Sequence, residues 1–300
     1  MPTPHFVLNK RPNSIIGSRN SSTKGQLTDI SRKNTKRVML FTNARNENNI
    51  KEWAAHHLLI GFDLIYIFDH KSDIPLKSVF KTFDKRVIIE RCEMDGAIKI
   101  PLMKRANSLA FSMDVDWFLY LDADEFLILN SFYGVKQMLN TFNYADALAI
   151  NWLMFGSNNH IKEPPTGLLI ENYTKSEQYA DKHVKSFVRP SRITNITNPH
   201  FYHIKNPYRN ITINNKIIQP NPFNESVCEV KYYMLHAYVA HYVNQSEETY
   251  IKRKVLMPTD DTNSFRGRNV NIHNSYNDVL NIDIRNKYAE GIKLFLQLAS

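Results

Sequence analysis

Three carboxylates fall within four positions at Asp122, Asp124 and Glu125. The run ahead of them, Trp117-Phe-Leu-Tyr-Leu121, is short, aromatic and aliphatic with no polar break, and reads as a buried strand. Carboxylates at the rim of a core are costly to desolvate. A hard divalent cation removes that cost, because oxygen ligands bind it and it neutralises them. Asp122 and Asp124 straddle one residue. Turned toward the carboxyl end of the strand, they can share one Mn²⁺ or Mg²⁺, directly or through water. The alternative is a solvated turn between two strands, since Asp-X-Asp alone is a common triplet. The core strand before it and Glu125-Phe-Leu after it favour the metal.

The elements that must position this cluster follow from periodicity. Arg37–Thr42 predicts a strand, with Asn43-Ala-Arg45-Asn46-Glu47 as the loop at its carboxyl end. A helix over 49–60 follows, closed by Gly61. Asp63–Phe68 predicts a second strand ending in Asp69-His-Lys-Ser72-Asp73, and Pro75 opens a short helix. Arg86–Cys92, a helix over 98–113 and Trp117–Leu121 complete four strand–loop–helix units, the pattern of a parallel sheet with helices on both faces. In such sheets ligands bind beyond the carboxyl ends of the strands. Three polar clusters, 45–47, 69–73 and 122–125, fall at such ends and point at one crevice. Beyond Ser131 the pattern predicts a helix to Thr141 and a strand over 146–155. Broken β structure is expected over 167–173, 183–189, 200–204, 211–218 and 229–238, then helices over 246–257 and 279–298.

The chain has 300 residues and a formal charge of +9. Residues 1–36 hold seven Lys or Arg against Asp29 alone, which leaves about +3 for the rest. That segment, rich in Ser, Asn and Thr, is expected to be a disordered basic tail. Residues 37–300 are expected to form one catalytic domain, with 37–130 binding donor, 131–260 facing acceptor and 261–300 as C-terminal helices. A body near +3 suits an enzyme handling an anionic nucleotide better than a protein wrapping a nucleic acid. No apolar signal segment opens the sequence and no run approaches a membrane span, so a soluble, cytoplasmic protein is expected. Cys92 and Cys228 are too few for a disulfide framework. Nine glycines leave little room for a Gly-rich phosphate loop.

Several blocks, in order and spacing, resemble glycosyltransferase family 92 and the related family-2-like enzymes. They are Asn46-Glu47 with Glu52-Trp53, His57, Gly61-Phe62 and Ile67-Phe68-Asp69-His70-Lys71-Ser72; Asp122-Ala-Asp-Glu-Phe126; Trp152-Leu-Met-Phe155-Gly156-Ser157 with His160; Lys185-Ser-Phe-Val-Arg189-Pro190; and His241-Tyr242 with Ser246, Tyr250 and Lys252. The resemblance runs over about 38–255. It implies a GT-A fold, with a mixed, mainly parallel sheet flanked by helices and a β-rich acceptor side. It implies transfer of a hexose from a nucleotide-sugar donor, UDP-linked by expectation, to a glycan or other hydroxyl acceptor, usually with Mn²⁺ and with inversion. A nucleotidyltransferase of related fold and a non-catalytic sugar- or nucleotide-binding protein are the competing readings. The first lacks its Gly-rich basic loop here, and the second lacks a basic face with interleaved aromatics.

Roles follow from this resemblance. Asp122 and Asp124 hold the metal, and His241 completes it from the late region or else caps a helix. Asp69 hydrogen-bonds uracil or ribose, or caps its own turn with Ser72. Glu47 does the same from the first strand, or is a first-turn helix residue. Arg105 and Asn107 lie on the helix before the metal strand and contact the donor, unless Arg105 is a surface ion pair. Asn46, Lys185 and Lys252 are placed on the donor side, and Lys254 with Lys252 near the diphosphate. Glu125 supports turnover beside the metal. An inverting enzyme needs a base for the acceptor proton; Glu163, Glu171 and Asp181 are available, and burial after Leu168-Leu-Ile170 is expected to raise Glu171 toward a useful pKa. Trp152 and Phe155 are core or sugar platform, and His57 a satisfied core histidine.

Overall fold

Strand β1 (Val38–Ala44) is buried along its whole length, and the reason is its place in the sheet. It pairs in parallel with β2 (Leu64–His70) on one side and β4 (Trp117–Tyr120) on the other. A strand covered on both faces reads as a continuous apolar run. Its alternate residues feed two layers. Val38 and Leu40 pack with Trp53, Ala54 and Leu58 of α1 (Ile50–Leu59), while Met39 and Phe41 pack with the other face. There they meet Leu102, Met103 and Ala106 of a longer helix. The computed structural model describes residues 34–218, 228–267 and 273–299.

In chain order, α2 (Leu76–Val79) follows β2, β3 (Val87–Cys92) forms the parallel edge beside β2, and α3 (Lys99–Ser112) is the longer helix just named. The acidic turn joins β4 to β5 (Glu125–Leu129). Then come α4 (Val135–Thr141), β6 (Ala147–Met154), α5 (Leu169–Asn172), β7 (Lys175–Ser176), β8 (Val184–Val188), β9 (Ile193–Asn195), β10 (His203–Ile204) and β11 (Asn210–Thr212). The last elements are β12 (Ala237–His241), α6 (Glu247–Tyr250) running into a π turn over Ile251–Val255, β13 (Val279–Leu280) and a C-terminal helix, Asp283–Leu298.

Among the described residues the main sheet runs β3-β2-β1-β4-β8-β6-β12-β5, with β11 also paired to β6. The β1–β4 half is parallel. β8 enters antiparallel to both β4 and β6, β12 is parallel to β6, and β5 is antiparallel to β12. This mixed, mainly parallel sheet with helices on both faces is the GT-A-type layered fold expected above. Gly61, at φ +100, closes α1 in the left-handed region that glycine reaches without a Cβ penalty.

Four expectations need correction. Residues 167–173 are not a strand: Leu169–Asn172 is one helical turn, because buried Glu52 accepts the Leu169 and Ile170 N–H groups at 2.6 and 3.1 Å and so supplies the turn's missing acceptor. Over 229–238 only Ala237 onward is strand; Tyr232–Met234 is a 3₁₀ turn. The helix expected from 279 begins at Asp283, because Val279 and Leu280 pair with β7 instead. The segment 261–300 is not simply helical, since residues 261–267 run as irregular chain. The tail expected over 1–36 lies, up to residue 33, outside the described residues. Its end is anchored: Thr35 N–H donates to Asn140 Oδ1 at 2.8 Å and Lys36 N–H to Asp116 Oδ2 at 2.7 Å. Among the described residues no helix is long and apolar enough to cross a membrane.

Candidate active site

The acidic turn lies where the parallel strands end. Leu121 N–H still donates to Phe41 O, extending the β1–β4 ladder, and the chain then reverses. Glu125 closes the reversal by accepting the Asp122 N–H on Oε2 at 2.9 Å. β5 then carries Glu125 opposite His241 at the end of β12, and β12 sets His241 beside Met154 of β6. Three sequence-distant segments thus meet at one point by sheet register alone.

What surrounds the carboxylates is basic. Asp122 accepts from Lys99 Nζ and, at 3.1 Å, from Lys185 Nζ; both lysines are buried. Burial opposes the charge on Asp122, but Lys185 and Lys99 outweigh it and hold the carboxyl well below its usual range. Lys99 also donates to Asn43 Oδ1 at 2.8 Å. Asp124 Oδ2 faces Lys254 Nζ at 3.2 Å and Arg253 at 3.4 Å, and they too overcome burial to depress its pKa. Arg253 is shared with Glu47. Glu125 differs. Fully buried, with Lys185 at 3.5 Å, it is raised well above the usual carboxylate range, burial being the main cause. Two carboxylates three positions apart are thereby shifted in opposite directions, Asp122 down and Glu125 up.

His241 faces Asp124, Nε2 to Oδ1 at 3.6 Å, and Glu125, Nδ1 to Oε1 at 3.9 Å. Both spacings exceed a hydrogen bond. Among the described residues Glu125 Oε1 and His241 Nδ1 have no hydrogen-bond partner. Burial lowers His241 to about 4, so the imidazole is neutral at physiological pH, the form in which it ligates metal. Among the described residues no three carboxylate or imidazole groups converge as a complete metal-binding set. Asp124 and His241, an oxygen and an imidazole 3.6 Å apart, are donors of the kind Mn²⁺ takes. Asp122, expected to hold the metal with Asp124, is paired with two ammonium groups.

Two cavities open at this point. One, of about 300 Å³, is lined by Asn43, Arg45, Glu47, Lys99, the acidic turn, Arg253, Lys254 and the 257–266 segment. The other, of about 790 Å³, is lined by Trp152, His183, Lys185, His200, His241 and Tyr276 among others. They share Asp122, Lys254, Asp261 and Arg266.

The sequence-predicted residues sort accordingly. Asp122, Asp124, Glu125, His241, Lys185 and Glu47 come together. Asp69 does not: its buried carboxylate accepts from Ser72 N at 3.2 Å, Leu76 N at 2.9 Å and Arg91 at 3.1 Å, so it caps its turn and the start of α2. Asn46 ties its loop to Asp73 through bonds of 2.9 and 3.1 Å. Arg105 pairs with Glu90 at 2.7 and 2.8 Å on the exposed side of α3, and Asn107 lies on that helix away from both cavities. Lys252 is exposed, and its neighbours Arg253 and Lys254 face the carboxylates in its place. Of the carboxylates considered as base, Glu163 accepts from Tyr173, Ser246 and Thr249. Glu171 is bound by Lys293 and by the Leu168 N–H. These outweigh its modest burial and lower its pKa, the reverse of the expected direction. Asp181 is bound by His183. Trp152 lines the larger cavity, Phe155 is core, and His57 is a satisfied core histidine, bonded to Trp53 O and Leu127 N.

Lys99, Arg253, Asn43 and His183 escaped the sequence reading. A lysine set between Ile98 and Ile100 was a visible signal, since an isolated cation in an apolar run is buried only with a partner. For Arg253 and Lys254 the basic cluster was visible but its phase was not, because the π turn alters which residues face inward.

The sequence profile of glycosyltransferase family 92 matches residues 39–280. A glycosyltransferase family 92 protein of Ricinus communis is 27% identical over 221 residues, covering 69% of this chain and 38% of its own length. One of Oryza sativa subsp. japonica is 26% identical over 221 residues, covering 69% of this chain and 36% of its own. The chain thus spans well under half the length of these relatives. A solved structure of Staphylococcus aureus TarS in complex with UDP-GlcNAc overlays on 52% of this chain and 46% of its own, with a TM-score of 0.35 and 11% identity, too loosely to bear on function. On a match that takes in the whole acidic turn and both cavities' strands, this chain belongs to glycosyltransferase family 92.

Proposed function

We propose that this chain moves a hexose from a nucleotide-sugar, UDP-linked, to a hydroxyl of a glycan or other acceptor, with inversion, and that residues 37–300 act as one catalytic unit. The observation that carries this reading is the ring of four basic side chains, Lys99, Lys185, Arg253 and Lys254, closing on Asp122 and Asp124 at the ends of parallel strands. A departing nucleoside diphosphate develops charge on its bridging oxygen, and fixed cations in a partly desolvated cleft stabilise it. Arg253 and Lys254, on one turn of chain, can exchange Asp124 for phosphate oxygens. Asn43 and Asp260, bonded to each other at 2.6 Å in the smaller cavity's wall, offer donor and acceptor groups to the nucleoside in place of Asp69. The larger cavity, with Trp152 on its wall, suits the acceptor, and the reacting carbon belongs at the residues the two cavities share. Asp124 and His241, with Asp122 beside them, would hold Mn²⁺ or Mg²⁺, which would supply a Lewis acid for the leaving diphosphate.

Calorimetry of UDP binding with and without Mn²⁺, and UDP release from UDP-glucose, UDP-galactose and UDP-N-acetylglucosamine, test this. Arg253→Ala and Lys254→Ala are expected to weaken UDP about tenfold each, a charged hydrogen bond being worth ~1.5–3 kcal/mol. His241→Ala should weaken Mn²⁺-dependent binding in a way that raised Mn²⁺ partly restores. Wild-type protein that neither binds UDP nor releases it from any of the donors rejects the proposal.

A further inference from the structure

The larger cavity carries a pair of side chains that donor binding does not use. His183 immediately precedes β8, with 35% of its side chain exposed. Its Nδ1 lies 2.7 Å from Asp181 Oδ1, and the same oxygen accepts the His183 backbone N–H at 2.8 Å. The pair is braced. Asp181 N–H donates to Trp152 O at 2.8 Å, Trp152 N–H returns to His183 O at 2.9 Å, and Asn151 Nδ2 donates to Asp181 O at 2.9 Å. The imidazole stacks on Trp152 with ring centroids 5.4 Å apart. A carboxylate accepts only, so the ring proton sits on Nδ1 and Nε2 keeps its lone pair. Two other histidines border Trp152. His200 donates Nδ1–H to Val184 O and is driven by burial to a pKa of about 3, so it cannot hold a second proton near neutrality. His241 faces Asp124 at 3.6 Å and Glu125 at 3.9 Å, both beyond hydrogen-bond distance. Among the described residues His183 is the histidine of this group with a carboxylate within hydrogen-bond reach. The other ionisable groups around the pair are His200, with its ring 5.9 Å from that of His183, Lys185 on the same cavity wall, Lys182 between the two in the chain, and Glu177, Tyr276 and Cys228, which act on Asp181 electrostatically.

We infer that His183, oriented by Asp181, is the base that takes the acceptor proton; this rests on the transferase reading above. The acceptor oxygen bonds to the anomeric carbon, and the bond from that carbon to the diphosphate oxygen breaks, its electron pair leaving with the diphosphate. The hydroxyl proton passes to His183 Nε2, and the Asp181 carboxylate stabilises the imidazolium that results. The proton then leaves to water through the exposed edge of the ring. His183 is the catalytic residue and Asp181 a positioning residue. This replaces Asp181 as the base itself, because its Oδ1 is already committed to two His183 donors.

The test uses the full chain with the three UDP-sugars above and p-nitrophenyl glycosides as acceptors. His183→Ala and His183→Gln should each lower kcat at least 100-fold, within the range of a lost general base. UDP affinity by calorimetry should stay within threefold of wild type, and added imidazole should restore part of the Ala variant's kcat. Asp181→Asn should lower kcat about tenfold with the acceptor KM within twofold of wild type, and Asp181→Glu should recover part of the loss. If both His183 variants keep kcat within threefold of wild type, the inference is overturned while the transferase reading stands, and Asp261, on the shared wall, becomes the base. If wild-type protein releases no UDP from any donor, both fall together.

Discussion

Asp122 shows at the scale of one residue how much of a side chain's setting lies outside its local motif. Its carboxylate is the counter-ion of Lys99 and Lys185, two ammonium groups buried to 4% and 1% exposure. Removing one partner of a buried pair costs more than the pair is worth, because the other charge is stranded. With 31% of the Asp122 side chain exposed, Asp122→Ala is expected to destabilise the fold by about 1.5–3 kcal/mol, the worth of a hydrogen bond to a charged group. Asp122→Asn, which keeps the shape and one acceptor, should cost visibly less. Urea unfolding of the two variants checks this; equal midpoints with wild type would mean that the lysines find other acceptors. The acidic triplet, its core strand and His241 were legible because their types and spacing are rare together. Lys99 and Lys185 as counter-ions were not, because pairing across 23 and 63 residues is set by sheet register, which no local pattern encodes.

Elements divide along the same line. The β–α units from 37 to 121 were legible to within two residues, because parallel strands buried on both faces are written as plain apolar runs and their helices repeat at 3.6. The acceptor side was not, since its short strands and turns take their shape from tertiary partners. α5 depends on Glu52, 117 residues away. The contact between Gly156 and the 274–277 loop is another case. A Cβ at Gly156 would stand 2.4 Å from Asn277 Oδ1 and 2.5 Å from Tyr276 O, so the glycine is there for close approach. That approach lets Asn277 Oδ1 accept Asn158 N–H at 2.9 Å and brings Tyr276 to the wall of the larger cavity. Gly156→Ala must push the loop outward, at the ~1–3 kcal/mol typical of overpacking. The expected outcome is an acceptor KM raised severalfold with UDP affinity unchanged. An unchanged acceptor KM would detach Tyr276 from acceptor binding.

Over the whole molecule, the ionisable groups buried in the sheet and the site set how stability responds to acid. Burial lowers His56 and His241 to about 4 and His200 to about 3, and takes His57 well below its usual value. Each of these binds a proton more readily unfolded. Their contribution is complete above an unfolded pKa near 6.5 and is lost as pH falls toward 4. Burial also raises Glu52 and Glu177 to about 7 and Glu47 and Glu125 in the same direction. Each of these holds its proton more tightly folded: Glu52 and Glu177 add stability as pH falls from about 7 toward 4.5, and Glu47 and Glu125 act in the same direction. Between pH 6.5 and 4.5 the histidines and the acids therefore pull in opposite directions. Below 4.5 the acids are protonated in both states and stop compensating. His57 and His200 still take up protons on unfolding there, and His56 and His241 do so until pH passes about 4. Asp122 and Asp124, held low by their lysines and arginine, then add losses of the same sign. Stability is expected to fall more steeply below pH 4.5 than between 6.5 and 4.5. Urea midpoints taken at half-unit intervals from pH 7 to 3.5 measure this directly. A decline of equal slope from 6.5 downward would mean that the buried glutamates do not offset the histidines.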